Sequence, residues 1–112
     1  MASLYPDDSD GEALRRIESA GSNMSEPMPV DFFVAAPHAE AAASISSLAI
    51  RRGYAARADF DEESNSWTVV CSKRMIPTYD AIVDAQAELD ALSQPHSGMS
   101  DGWGTLGNLK YS

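Results

Sequence analysis

The chain has 112 residues, 17 of them Asp or Glu against 8 Lys or Arg, and a formal charge of -9. That length suits one domain of about 100–200 residues with short tails, and a 44% hydrophobic content is that of a globular chain rather than a disordered one. The acidity repels phosphate backbones and argues against direct nucleic-acid binding, while the single cysteine, Cys71, excludes an internal disulfide framework or a multi-cysteine zinc site.

Residues 1–10 read as a flexible acidic tail, with Pro6 and three Asp and no apolar cluster. Residues 11–29 read as a peripheral helix and linker. Ser9 or Asp10 is placed to cap the helix, Ala13, Leu14, Ile17 and Ala20 share one side, and Gly21 ends it. Val30–Ala35 is a strand by its β-branched and aromatic content. Pro37 opens a helix running to about Arg52 and Gly53. Its apolar phase is divided between Ala39, Ala42, Ser46, Ala49, Ile50 and a second stripe of Ala41, Ile45, Leu48.

Tyr54–Phe60 alternates as a half-buried strand with one wet face, and Asp61–Ser66 is a hairpin loop leading into the strand Trp67–Met75. Pro77 then starts a helix, with Thr78 a candidate cap and Tyr79, Ile82, Ala85, Gln86, Leu89 and Leu92 at helical spacing. Gly98–Thr105 can add a short edge strand, and 106–112 reads as a C-terminal tail. The order helix, then strand–helix–strand–strand–helix–strand, predicts an α+β, ferredoxin-like sandwich. Its antiparallel sheet carries two helices on one face, with an extra N-terminal helix and a domain over 30–105.

No catalytic, metal or cofactor site is expected. His38 and His96 have no second His or Cys at ligand spacing, and Cys71 reads as a small buried hydrophobe. Asp59, Asp61, Glu62 and Glu63 gather at the hairpin, where solvated carboxylates lack the burial that raises a pKa for acid–base work. They read as a solvated turn or a docking surface for a basic partner. An RNA-binding domain of this element order needs stacked aromatics on its third strand, and Ser66–Lys73 offers only Trp67. Asp101-Gly-Trp-Gly-Thr105 is the most unusual stretch. Its glycines permit unusual backbone angles, Asp101 can bond neighbouring amides, and Trp103 either plugs the core edge or anchors a partner.

Gly98–Thr105 resembles the C-terminal "YDGWGT"-type signature of the family of regulators of ribonuclease E activity B (RraB). Arg52-Gly53-Tyr54, Ser66-Trp67-Thr-Val and Lys73-Arg-Met-Ile-Pro77 resemble its helix exit, third strand and helix entry. Ser100 departs from the pattern, standing where Tyr is usual. The resemblance covers about 30–105 and a preceding helix. It implies a ferredoxin-like α+β sandwich without catalysis, and a protein-binding role whose best-known examples bind ribonuclease E and inhibit RNA decay.

The resulting expectation is a cytoplasmic, non-enzymatic regulator with a protein partner and no membrane or direct nucleic-acid contact. Its partner-binding residues would be Asp59, Asp61, Glu62, Glu63, Asp101 and Trp103. The alternatives are a small-molecule-binding or enzymatic domain using a cleft, and a self-assembling structural module.

Overall fold

Met28–Ala36 (β1) alternates buried and half-covered side chains along most of its length. Met28, Val30, Phe32, Val34 and Ala36 are all buried, while Asp31, Phe33 and Ala35 face the other way. The computed structural model places β1 at the centre of a four-stranded sheet and describes residues 5–105 and 107–108. Residues 1–4, 106 and 109–112, which hold parts of both expected tails, lie outside the described residues.

The remaining elements are α1 (Ser9–Ser19), α2 (Ala39–Arg51), β2 (Ala55–Asp61), β3 (Ser66–Met75), α3 (Tyr79–Ser93), a 3-10 turn at Gln94–His96, and β4 (Met99–Gly104). The sheet order is β2-β3-β1-β4, and every neighbouring pair is antiparallel. Each long crossover skips one strand: α2 joins β1 to β2 across β3, and α3 joins β3 to β4 across β1. The fold is α+β, and α2 and α3 pack on the sheet face that carries Val30, Phe32, Val34, Val69 and Cys71.

Local chemistry sets the helix boundaries. Thr78 caps α3 as expected, its Oγ1 accepting from the Ala81 amide at 3.1 Å. α2 starts later than Pro37, because His38 is its cap and the imidazole Nδ1 accepts from the Ala41 amide at 3.1 Å. The buried side of α2 is Ala41, Ala42, Ile45 and Ala49, drawn from both stripes read in the sequence. At 100° per residue these span one narrow sector, and Ile50 falls about 140° from Ile45, where it is 56% exposed. Three alanines around one isoleucine bring the helix backbone close to the sheet.

The N-terminal segment differs most from expectation. Asp8, not Ser9 or Asp10, caps α1: its Oδ1 accepts from the Gly11 amide at 2.8 Å, and its other oxygen accepts from the Tyr79 hydroxyl on α3. The Arg15 guanidinium donates to the carbonyls of Tyr5 and Pro6. A Cβ on Gly11 would lie 1.9 Å from the Pro6 oxygen, so only glycine lets the chain fold back there. Residues 5–10 therefore belong to the packed body rather than to the tail expected over 1–10. Nor is α1 peripheral, since Leu14 is fully buried in the common core. A second difference lies in β2, where only Ala56 is partly covered. As an edge strand it is wetter than the half-buried strand expected, and Tyr54, just before it, carries the burial at 4% exposed.

Two outcomes are expected. A Cβ on Gly98 would meet Ile45 Cδ1 at 2.7 Å, the Ala35 oxygen at 2.9 Å and Ser93 Cβ at 3.0 Å. Gly98→Ala should destabilise the fold by about 1–3 kcal/mol, as overpacking does, measured by urea denaturation. The Tyr79 and Gly11 hydrogen bonds hold the Asp8 carboxyl below its ordinary 3.8. A folded pKa below the unfolded one gives stability that is complete above the unfolded value and is lost as pH falls through the folded one. Melting temperature should thus fall less steeply below pH 3.8 in Asp8→Asn, which keeps a capping side chain but removes this titration.

Candidate functional site

The peculiar Asp101-Gly-Trp-Gly stretch forms β4 and contains a β-bulge. Phe32 faces Trp103 and Val34 faces Ser100, so Asp101 and Gly102 together oppose Phe33. Gly102 has φ 92°, the left-handed geometry such a bulge demands and glycine supplies. In a regular strand Ser100 and Trp103, three positions apart, would point to opposite faces. The inserted residue returns Trp103 to the helix side, above Phe32. Gly104 has no such angle, and a Cβ there would meet only the Phe33 ring at an ordinary 3.9 Å. One glycine of the pair is therefore dictated by conformation, not both.

Trp103 is half-buried against the core, and its indole N–H donates to Asp10 Oδ1 at 3.0 Å. Asp10 also accepts from the Gln86 amide on α3 at 3.2 Å. One carboxylate on the first helix thus ties the last strand to the third helix. The remaining indole surface floors a groove of about 300 Å³ whose wall is Ala13, Arg16, Ile17 and Ala20 of α1. Asp101 is exposed, and its carboxylate accepts no hydrogen bond among the described residues, contrary to the expected bonds to neighbouring amides.

The acidic hairpin lies at the other edge. Asp59 accepts from Arg57 Nε at 3.2 Å, so its charge is partly offset by its neighbour two positions away on the same face. Asp61 closes the turn, accepting from the Glu63 amide at 3.0 Å and the Ser64 hydroxyl at 2.9 Å. Glu62 and Glu63 are exposed. Since β2 and β4 are the two outer strands, β3 and β1 lie between this hairpin and Trp103, a separation of about 14 Å at ~4.8 Å per strand. The six residues expected to bind a partner thus form two patches, not one.

A cleft of about 220 Å³ at the α3–sheet boundary is lined by Tyr54, Lys73, Asp84 and Glu88 among others. The Tyr54 hydroxyl donates to Glu88 Oε1 at 3.0 Å, Arg52 lies 3.7 Å from the other oxygen, and Lys73 Nζ sits 4.9 Å from the Tyr54 ring centre. Burial, then the Glu88 hydrogen bond and charge, push the Tyr54 phenol well above its ordinary value, so it stays protonated. Burial pushes the Cys71 thiol up to about 11, which leaves almost no thiolate at neutral pH. His38 and His96 line one cleft of about 250 Å³ with Glu40 and Ser44. No group of three or more metal-binding side chains occurs among the described residues.

Comparison with known families matches residues 7–105 to the one described as regulator of ribonuclease activity B, RraB, from the cap of α1 through the end of β4. The chain belongs to the RraB family. The match takes in α1, in keeping with the contacts of Asp8, Asp10 and Leu14. Members of the RraB family are regulators of ribonuclease activity, which places a regulatory role on this chain and makes a protein the natural class of partner. Comparison with curated proteins gave no match. No helix among the described residues is long and apolar enough to cross a membrane. Sequence reasoning placed Asp10 only as a candidate cap and missed its role as a link, because its two partners are 76 and 93 positions away and no local signal marks them.

The Asp10–Trp103 bond should be measurable by a double-mutant cycle. Asp10→Ala and Trp103→Phe each remove it, and a coupling of about 1–2 kcal/mol is expected for a hydrogen bond to a charged acceptor. Trp103→Ala should cost about 2–3 kcal/mol, less than the 3–5 of a fully buried aromatic. Additive single and double variants in denaturant melts would show that the contact contributes nothing.

Proposed function

We propose that this RraB-family chain is a non-enzymatic, cytoplasmic regulator. It would dock its acidic surface on a basic segment of a ribonuclease, with ribonuclease E the candidate partner. The observation that carries this reading is uncompensated charge. Against 17 acidic side chains, only three ion pairs form among the described residues, Arg15–Asp7, Arg52–Glu88 and Arg57–Asp59. A surface of this kind attracts a cationic chain from a distance and speeds its encounter.

In this reading Asp59, Asp61, Glu62 and Glu63 steer the partner at one edge of the sheet. Asp101 and the open part of Trp103 hold it at the other. Exposed charge contributes chiefly to association rate, whereas a half-buried indole beside an apolar groove contributes to residence time. Occupying a ribonuclease's basic segment would limit which RNAs or proteins can assemble there. The protein itself would not hold RNA, because it repels the phosphates that supply most of nonspecific affinity.

The test is binding kinetics against a basic, disordered ribonuclease segment at two salt concentrations. Association should slow as salt rises, since screening acts over about 8 Å at physiological ionic strength. The variant Glu62→Lys/Glu63→Lys should slow association further while leaving stability within about 0.5 kcal/mol, as surface substitutions do. Asp61 is kept because its carboxylate holds the turn. Salt-independent binding, or tight binding of single-stranded RNA in a gel shift, would overturn the reading.

A further inference from the structure

β2 is an outer strand, and among the described residues nothing covers its free edge. Its charges are ordered along the chain. Arg51 and Arg52 precede it, Arg57 lies in its first half, and Asp59, Asp61, Glu62 and Glu63 follow. Positive charge therefore leads and negative charge trails, which is the pattern a strand needs to complement itself when turned through 180°. We propose that two copies of the chain pair through β2 about a two-fold axis at Ala58, forming one continuous eight-stranded sheet.

Strand geometry and charge together select that register. Outward-pointing amides alternate along an edge, so two antiparallel copies match only when the paired residue numbers add to an even sum. An axis at Arg57 sets Arg57 against itself. An axis at Asp59 sets Asp59 against itself, and an axis at Phe60 opposes Asp59 to Asp61. An axis at Ala56 leaves only residues 55–57 of the strand paired. The axis at Ala58 places Arg57 of each copy opposite Asp59 of the other, and the symmetry makes the pair twice. Opposite charges directly across a ladder stabilise it, and like charges destabilise it.

The two faces agree with this register. Arg57 and Asp59 share the face of Val70 and Thr68, their β3 partners, where no helix lies. On the helix side the same register sets Phe60 against Ala56 of the second copy and Ala58 against Ala58. Phe60 is 46% exposed, its ring tilted against Trp67 with the ring centres 5.1 Å apart. A large exposed ring thus meets a small residue, and both ends of the contact are filled. Beyond the strand, the register carries each acidic hairpin tip past the α2–β2 turn of the other copy. Arg51 stands at that turn exposed, with no ion pair among the described residues.

Seven residues per copy make a small interface, so association should be weak and concentration-dependent. Sedimentation equilibrium on the purified full chain, from about 10 µM to about 1 mM, should show the mass rising from 12.0 kDa toward twice that value. Arg57→Asp should weaken dimerisation by about tenfold or more, because it sets like charges opposite each other. Asp59→Arg should do the same, and the double variant Arg57→Asp/Asp59→Arg should restore it. Both positions are exposed, and circular dichroism confirms that each variant is folded. Amide exchange in β2 should slow at high concentration in the wild type and in the double variant only. A chain that stays monomeric throughout, with its edge charges keeping the strand single, would overturn the proposal. So would a dimer indifferent to Arg57→Asp, or one that the double exchange does not restore.

Discussion

The structure depends on one strand being bonded along both edges while burying a full face. β1 pairs with β3 over nine positions and with β4 over a shorter stretch, and five of its side chains are buried under the helices. A strand so placed fixes its own register, because a slip of one residue would exchange Val30, Phe32 and Val34 for Asp31, Phe33 and Ala35. Its neighbours are then set by complementarity. The alanines of α2 bring that helix close, Ile82 and Leu89 of α3 fill the space above β1 and β4, and Leu14 of α1 closes the end of the core.

The bulge in β4 is a local departure that serves this arrangement. A six-residue strand cannot place both Ser100 and Trp103 on the helix side without an extra residue, and Gly102 supplies one. Both residues are then held by carboxylates from helices, Ser100 through its backbone N–H and Trp103 through its side chain. Asp90 of α3 accepts from the Ser100 amide at 2.9 Å, and Asp10 of α1 accepts from the Trp103 indole. Two of the chain's many acids are thereby structural. The surplus that remains on the surface is smaller than the composition suggests: Glu62 and Glu63 carry it at one sheet edge, Asp101 at the other, and Glu12, Glu18, Glu40, Asp80 and Asp84 along the helices.

The element order, the hairpin, the Thr78 cap and the edge strand at the signature were all legible, because each rests on residues close together in sequence. β-Branched and aromatic content carried β1, period-two alternation carried β2, and helical spacing carried α3. What could not be read depends on contacts between distant positions. The tail reading of residues 5–10 followed from their polarity, yet Asp8 and Asp10 are held by Tyr79, Gln86 and Trp103. The phase of α2 stayed divided because alanine is small enough to sit on either side of a packing boundary. For the candidate site, the residue types were legible and their grouping was not. Asp59 through Glu63 look like one acidic run, but Arg57 pairs with Asp59 and the turn uses Asp61, leaving Glu62 and Glu63 as free charge.

Because β4 is the last strand among the described residues and its partner β1 is the first, the order of synthesis matters for this fold. β1 is complete at Ala36, but the edge that β4 covers stays open until Met99–Gly104 has been made. At about 5–20 residues per second that interval lasts several seconds. Both edges of this hydrophobic strand are open until β3 is made, one stays open after that, and α1 lacks the indole that Asp10 will hold. The nascent chain can form β1, α2 and the β2–β3 hairpin early, yet this sheet closes only when β4 arrives. A message cut short upstream of Gly98 would therefore yield a product with an adhesive open edge, the kind of species that chaperones and proteases remove.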